Sequence, residues 1–177
     1  DADLRQVGKN TLWVASEQIQ SGLSRLTQAT ALPIVSLDDR YLSADNRLGI
    51  SRGVDTQLDD TGYVPRVGYP SIETQLAQLS GLGREVVVAD DVVFSGEMLA
   101  WLADRLALRS VKIGGVVCGI AIREGIEKLN AMGIGVEAMQ TFEEVEDELC
   151  ERDFAVVLGS GRRIADLDTN ALYFDPE

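Results

Sequence analysis

Residues 84–98 read REVVVADDVVFSGEM, and this stretch carries the side chains best suited to chemistry. Asp90 and Asp91 close an apolar run, and Ser95 and Gly96 follow shortly after. Two adjacent carboxylates can accept hydrogen bonds from a pair of hydroxyls or lie close to a bound cation. A hydroxyl and a glycine just ahead of a helix present backbone N–H groups to an anion, and the helix dipole reinforces that preference. Together they mark the edge of a sheet with a phosphate-sized pocket immediately after the acids.

The elements that must position these groups follow from the same stretch. Val86, Val87, Val88 and Ala89 form a short continuous apolar run rich in β-branched residues, as expected of a central parallel strand covered on both faces. The acids then fall at its carboxyl end, where open α/β sheets bind their ligands. Met98, Leu99, Leu102 and Leu106 recur at helical spacing, so a helix over residues 97–108 follows the loop. The residues alone leave two other readings open. In one, Ser95 is a helix cap, Glu97 a first-turn acid and the aspartates solvated strand-end residues. The other is a receiver-type signalling domain, which also ends a strand in paired acids but needs a later strand ending in Asp and a later Lys. Neither residues 116–122 nor 136–141 end in Asp, and no Lys follows Lys128.

The order of apolar strand, two acids, three apolar residues, hydroxyl, glycine and helix resembles the phosphoribosyl pyrophosphate-binding motif of the type I phosphoribosyltransferase family. The resemblance implies that Asp90 and Asp91 are the catalytic acids, holding the ribose hydroxyls. It assigns Val93, Phe94, Ser95, Gly96, Glu97 and Met98 to the loop that wraps the 5′-phosphate. It also implies magnesium, bridging pyrophosphate and ribose oxygens with Asp90 or Asp91 close by, and a part in nucleotide metabolism as a cytoplasmic homodimer. The chain departs from the family pattern at Phe94 and Met98, where hydroxyl residues are usual, and has no acid at Phe94, which sets it apart from purine-salvage members. A carboxylate at Glu97 complements the helix dipole and would oppose a phosphate unless it points outward, so the resemblance implies either transfer of phosphoribosyl to an unknown acceptor or, alternatively, a non-catalytic binding or regulatory protein of the same fold.

Composition narrows the function classes. At 177 residues and 45% hydrophobic, the chain suits one domain with a sizeable core. Its net charge of -13 argues against binding nucleic acid through phosphate neutralisation. Most of the surplus charge lies from Glu137 onward, where twelve acids accompany three arginines. The absence of histidine excludes Ser-His-Asp and Cys-His catalysis and the common zinc sites. Cys118, in an apolar run, and Cys150, in an acidic one, read as core and surface thiols of a reducing compartment. No membrane-spanning run and no signal-peptide pattern stand out.

In chain order, residues 11–15 (TLWVA) are expected to form a first strand. Residues 16–22 are expected to be the loop after it, and the resemblance makes Ser16, Glu17 and Gly22 a pyrophosphate loop. Residues 33–37 read as a second strand. Residues 38–70 have weak periodicity, and the resemblance implies a flexible loop there that closes over the site, with Arg40 and Arg52 as candidates to meet the leaving pyrophosphate. A helix capped by Ser71 spans residues 72–79, a strand lies within 110–122, a helix covers 123–132 and a last strand covers 135–142. Strands alternating with helices indicate an α/β fold with a doubly wound parallel sheet. Residues 1–142 are expected to be the phosphoribosyltransferase-like core. Residues 143–177 would be a small hood-like extension, with an acidic helix at 143–151, a strand at 154–158 and a turn at Gly159-Ser160-Gly161 leading into Arg162 and Arg163.

Overall fold

The computed structural model describes residues 12–55, 57, 59–145, 162–164 and 172–173. Its centre is a five-stranded parallel sheet in the order β2-β1-β5-β6-β7, formed by Asn46–Arg47, Ile34–Ser36, Glu85–Val93, Lys112–Ile122 and Val136–Phe142 respectively. The expected α/β class and parallel sheet are therefore observed. β5 and β6 are long because both faces are covered: Val86, Val88 and Val116 are at most 1% exposed, and a strand buried on both sides reads as a continuous apolar run.

Helices cover the two faces unequally. α1 (Ser16–Gln28) lies on one face, where Ile19 and Leu23 join Tyr41, Leu42, Val87, Ala89 and Val117 in an apolar cluster. α2 (Ile72–Leu79), α3 (Glu97–Ala107) and α4 (Arg123–Ala131) contribute to the larger cluster on the other face, through Leu76, Leu102 and Leu129 among others. Ser71 caps α2 as expected, accepting the Thr74 N–H at 3.3 Å. The chain between β1 and β2 crosses on the α1 face, while the β5–α3–β6–α4–β7 crossovers run on the other, so the sheet is doubly wound.

Two expectations need correction. Residues 12–15 form no strand, Thr11 lies outside the described residues, and residues 16–22 are the first half of α1 rather than a loop. The helical stripe Ile19, Leu23 and Leu26 faces the sheet at i, i+4 and i+7, and Gln18 Oε1 accepts the Ala15 N–H at 3.0 Å to start the helix. Leu12 and Trp13 stay exposed. Residues 38–70, expected as one long loop, carry β2 and an antiparallel hairpin, β3 (Ile50–Val54) and β4 (Asp60–Pro65). Asp55 closes the hairpin's turn by accepting the N–H groups of Gln57 and Asp59 at 2.8 and 2.9 Å. β3 also pairs in parallel with β8 (Arg162–Ile164), which pairs with β9 (Leu172–Tyr173), giving a second sheet in the order β4-β3-β8-β9. The expected elements at 143–151 and 154–158 and the turn at 159–161 fall largely or wholly outside the described residues. Among the described residues no helix is long and apolar enough to cross a membrane.

Candidate functional site

Successive connections part company at one place on the sheet's carboxyl edge. The chain leaves β1 toward β2 and leaves β5 toward β6, in opposite directions, so the crevice between β1 and β5 is the topological switch point. Asp90 and Asp91 stand in the carboxyl half of β5, directly after Ala89, the last residue paired with β1. They lie within the strand rather than beyond it and are 5% and 4% exposed. Strand alternation sends them to opposite faces. Asp90 pairs in register with Cys118, and its carboxylate accepts the Asp91 N–H at 3.0 Å. On the other face Ile19 of α1 sits over Gly119, where a side chain would come within 2.9 Å of the Asp91 carbonyl oxygen.

The loop after β5 turns sharply. Gly96, at φ 73°, is the N-cap of α3 in the left-handed region that favours glycine, and Ser95 Oγ lies 3.4 Å from the Glu97 N–H as a long, weak contact. The capping residue is thus Gly96 and not Ser95. The loop rests on the first turn of α4: a side chain on Gly125 would meet the Phe94 carbonyl oxygen at 2.3 Å and Val93 Cγ1 at 2.8 Å. Glu97 is exposed and its Oε1 lies 3.3 Å from Lys128 Nζ on α4, so its charge is directed toward a cation. Met98 is already in the first turn of α3 and its side chain packs against the main core, so only its backbone faces the loop. The first N–H groups of a helix have no partners within it, which leaves the amino end of α3 suited to an anion.

The second wall of the crevice was not read from the sequence. The Leu37 N–H donates to the Ala89 carbonyl at 2.8 Å, which sets Asp38 beside the acids of β5. Asp38 is 1% exposed, and its carboxylate accepts the N–H groups of Arg40, Tyr41 and Leu42 at 3.0, 2.7 and 2.9 Å. Asp39 pairs with Arg66 Nη1 at 3.4 Å. Asp38 and Asp39 are both engaged, and Arg40 is exposed, its guanidinium 5.9 Å from the Tyr41 ring centre. Asp38 gives no signal in sequence that separates it from a solvated turn acid.

Several expected site residues are thus brought near one another: Asp90, Asp91, Val93, Phe94, Ser95, Gly96 and Glu97, with Arg40 on the neighbouring loop. Ser16, Glu17 and Gly22 are not a loop. Ser16 and Glu17 form the first turn of α1, and Gly22 is buried under Met139 of β7. Arg52 is on β3. Among the described residues no group of three or more acids or cysteines has the arrangement of a metal site. The two β5 acids suit a cation carried mainly by a ligand's own oxygens and by water.

Cys118 is buried, and burial, followed by the charges of Asp90 and Asp91, pushes its thiol well above the ordinary range. It is an inert core thiol. With Cys150→Ser in place, a thiol reagent is expected to leave the folded protein unlabelled and to label one site after denaturation; rapid labelling of the native protein would contradict this. A separate open cleft of about 490 Å³ lies along β2 and α2, lined by Asp45, Asn46, Arg47, Tyr69 and Gln78 among others. Its buried Gln75 amide is already bonded to Gly49 and Pro70, and Arg47 to Ala44 and Ser43, so we assign it no chemistry.

No protein-family model matches the chain, and no curated protein matches it. Solved structures to which it is similar include the UMP synthase of Leishmania donovani, at 15% identity and a TM-score of 0.45, covering 72% of this chain and 27% of that one. An orotate phosphoribosyltransferase from Aeropyrum pernix is similar at 17% identity and 0.42, over 68% of this chain and 69% of the other. An adenine phosphoribosyltransferase from Thermoanaerobacter pseudethanolicus is similar at 11% and 0.41, over 69% and 79%. The chain thus spans about a quarter of the UMP synthase chain.

Proposed function

We propose that this protein binds phosphoribosyl pyrophosphate, or a related ribose phosphate, in the crevice between β1 and β5 and transfers the phosphoribosyl group to a nitrogen acceptor. The observation that carries the reading is the convergence, at the switch point, of the paired acids of β5 with a left-handed glycine opening α3. In this reading Asp90 and Asp91 accept hydrogen bonds from the ribose hydroxyls. Backbone N–H groups of residues 95–98 hold the 5′-phosphate, and the exposed Arg40 meets the pyrophosphate.

The reaction displaces pyrophosphate from the anomeric carbon through a cation-like transition state. It asks the protein for positioning and charge stabilisation rather than a strong acid or base, which suits a chain without histidine. Asp90 or Asp91 would lie beside a magnesium ion held mainly by the ligand and water, which would supply charge neutralisation for the leaving group. A homodimer of a reducing, cytoplasmic compartment is part of the same reading.

Calorimetric titration with phosphoribosyl pyrophosphate and magnesium tests it. Saturable binding is expected, weakened about tenfold by either Asp90→Asn or Asp91→Asn, the factor for one charge-assisted hydrogen bond. No heat at millimolar ligand removes the reading, and unchanged affinity in both variants moves the site elsewhere. A second reading, ligand binding without turnover, is favoured by the inward packing of Met98 where the family's loop carries a hydroxyl. Binding without pyrophosphate release across a panel of bases would select it.

A further inference from the structure

We infer that Tyr63 and Trp101 clamp the β3–β4 hairpin onto α3 and thereby hold Arg52 as a phosphate-facing cation over the amino end of that helix. This rests on the ribose-phosphate reading of the α3 loop. Tyr63 of β4 and Trp101 of α3 have ring centres 4.6 Å apart with planes tilted by 44°, a favourable aromatic geometry. Trp101 is held in turn by Arg105, whose guanidinium lies 5.6 Å from the indole centre and whose Nη1 reaches Glu73 of α2 at 3.7 Å. The ring pair thus ties β4 to the helix layer of the first sheet, beside the anchor that Ile50 of β3 provides in the main core.

The consequence for Arg52 follows from register. Arg52 and Tyr63 are direct cross-strand partners in the antiparallel hairpin, so both side chains leave the same face, the one turned to α3. Trp101 stands one turn beyond Glu97, on the same side of α3 as its first turn. Tyr63 therefore bridges Arg52 to the helix end where the phosphate is read. Burial raises the Tyr63 phenol, Arg52 opposes that shift, and Glu97 and then Asp60 add to it, in keeping with one shared neighbourhood.

Arg52 is also differently placed from the other arginines nearby. Arg66, Arg105 and Arg109 each pair with a carboxylate. Among the described residues no carboxylate is within ion-pair distance of Arg52, which is exposed. Glu97, in the first turn of α3, is paired with Lys128 of α4. The hairpin offers this charge from a strand rather than from a mobile loop, which lowers the ordering cost of meeting an anion.

The test uses the Trp13→Phe protein, in which Trp101 is the remaining tryptophan of the two, titrated with ribose 5-phosphate. Arg52→Gln is expected to weaken binding about tenfold and leave the emission of the free protein unchanged. Tyr63→Ala is expected to red-shift Trp101 emission and weaken binding by the same factor, with Trp101→Phe close to unsubstituted affinity. The Arg52→Gln/Tyr63→Ala double variant should lose no more than either single variant. Tyr63→Leu, which keeps apolar bulk, serves if Tyr63→Ala does not fold. Unchanged affinity in the Tyr63 variant, or losses that multiply in the double variant, overturns the clamp. If the unsubstituted protein binds nothing, the ligand reading itself fails. The Trp101 emission of the Tyr63 variant then still decides whether the rings hold the hairpin, an unshifted spectrum counting against it.

Discussion

Asp38→Ala is expected to cost the folded protein on the order of 3 kcal/mol and to remove ligand binding at the carboxyl edge of the sheet. Asp38 is 1% exposed and its carboxylate takes three backbone N–H groups, two of them from Tyr41 and Leu42, which are themselves only 7% and 8% exposed. A methyl group leaves those donors without acceptors, and each buried unsatisfied donor costs about 1–3 kcal/mol. The loop also rests on Ser36, whose Oγ donates to the Asp38 carbonyl at 2.5 Å, so its register with β5 depends on this residue at both ends. Asp38→Asn keeps one acceptor oxygen and should lose roughly half as much. Asp39→Ala is the control: its pairing with Arg66 is partly solvated and worth under about 1 kcal/mol. Urea midpoints at unchanged slope separate the three variants. An Asp38→Ala protein as stable as Asp39→Ala would show that the carboxylate does not organise the loop.

The same residue marks where sequence reading stops. Val86 to Ala89 and the run Lys112–Ile122 are legible because strands buried on both faces need apolar residues at every position. Ser71 is legible because a helix start demands particular side chains, whereas at α3 the suggested cap, Ser95, gives way to Gly96. Asp90 and Asp91 were expected just past that apolar run, and they lie within β5, which continues to Val93. By contrast, the adjacency of β1 and β5, which brings Asp38 and Arg40 to those acids, is a pairing between segments distant in sequence. Nothing local encodes it. Residues 12–22 were misread because LWVA looks like a strand, yet no neighbour in the sheet accepts it and the stripe from Ile19 wins. β3 and β4 were missed because half-buried strands of five and six residues, with a bulge at Gly53 and Val54, leave no clear alternation. Arg52 was chosen from its charge, but its companion Tyr63 became visible only with the hairpin's register.

Gly125→Ala is expected to lose ligand affinity by tenfold or more and stability on the order of 2 kcal/mol, although Gly125 is not among the residues assigned to the ligand. Its missing side chain makes room for the loop after β5. An added Cβ would lie 2.3 Å from the Phe94 carbonyl oxygen and 3.1 Å from its carbon, both backbone atoms that cannot swing aside. Either α4 or the loop must retreat. Overpacking of this kind costs about 1–3 kcal/mol, against which alanine's better helix propensity returns at most about 1 kcal/mol. The loop is the weaker partner, because α4 is anchored by Leu129 in the core. N–H groups that must meet a phosphate tolerate displacements of only about 0.5 Å. The comparison that isolates this effect is Gly133→Ala. Its φ of 75° imposes backbone strain of similar size, but nothing lies within 4 Å of the added methyl. Gly133→Ala should therefore lower the melting temperature while leaving ribose 5-phosphate affinity intact, whereas Gly125→Ala lowers both. Equal affinities in the two variants would mean that the Phe94 to Gly96 turn does not carry the phosphate.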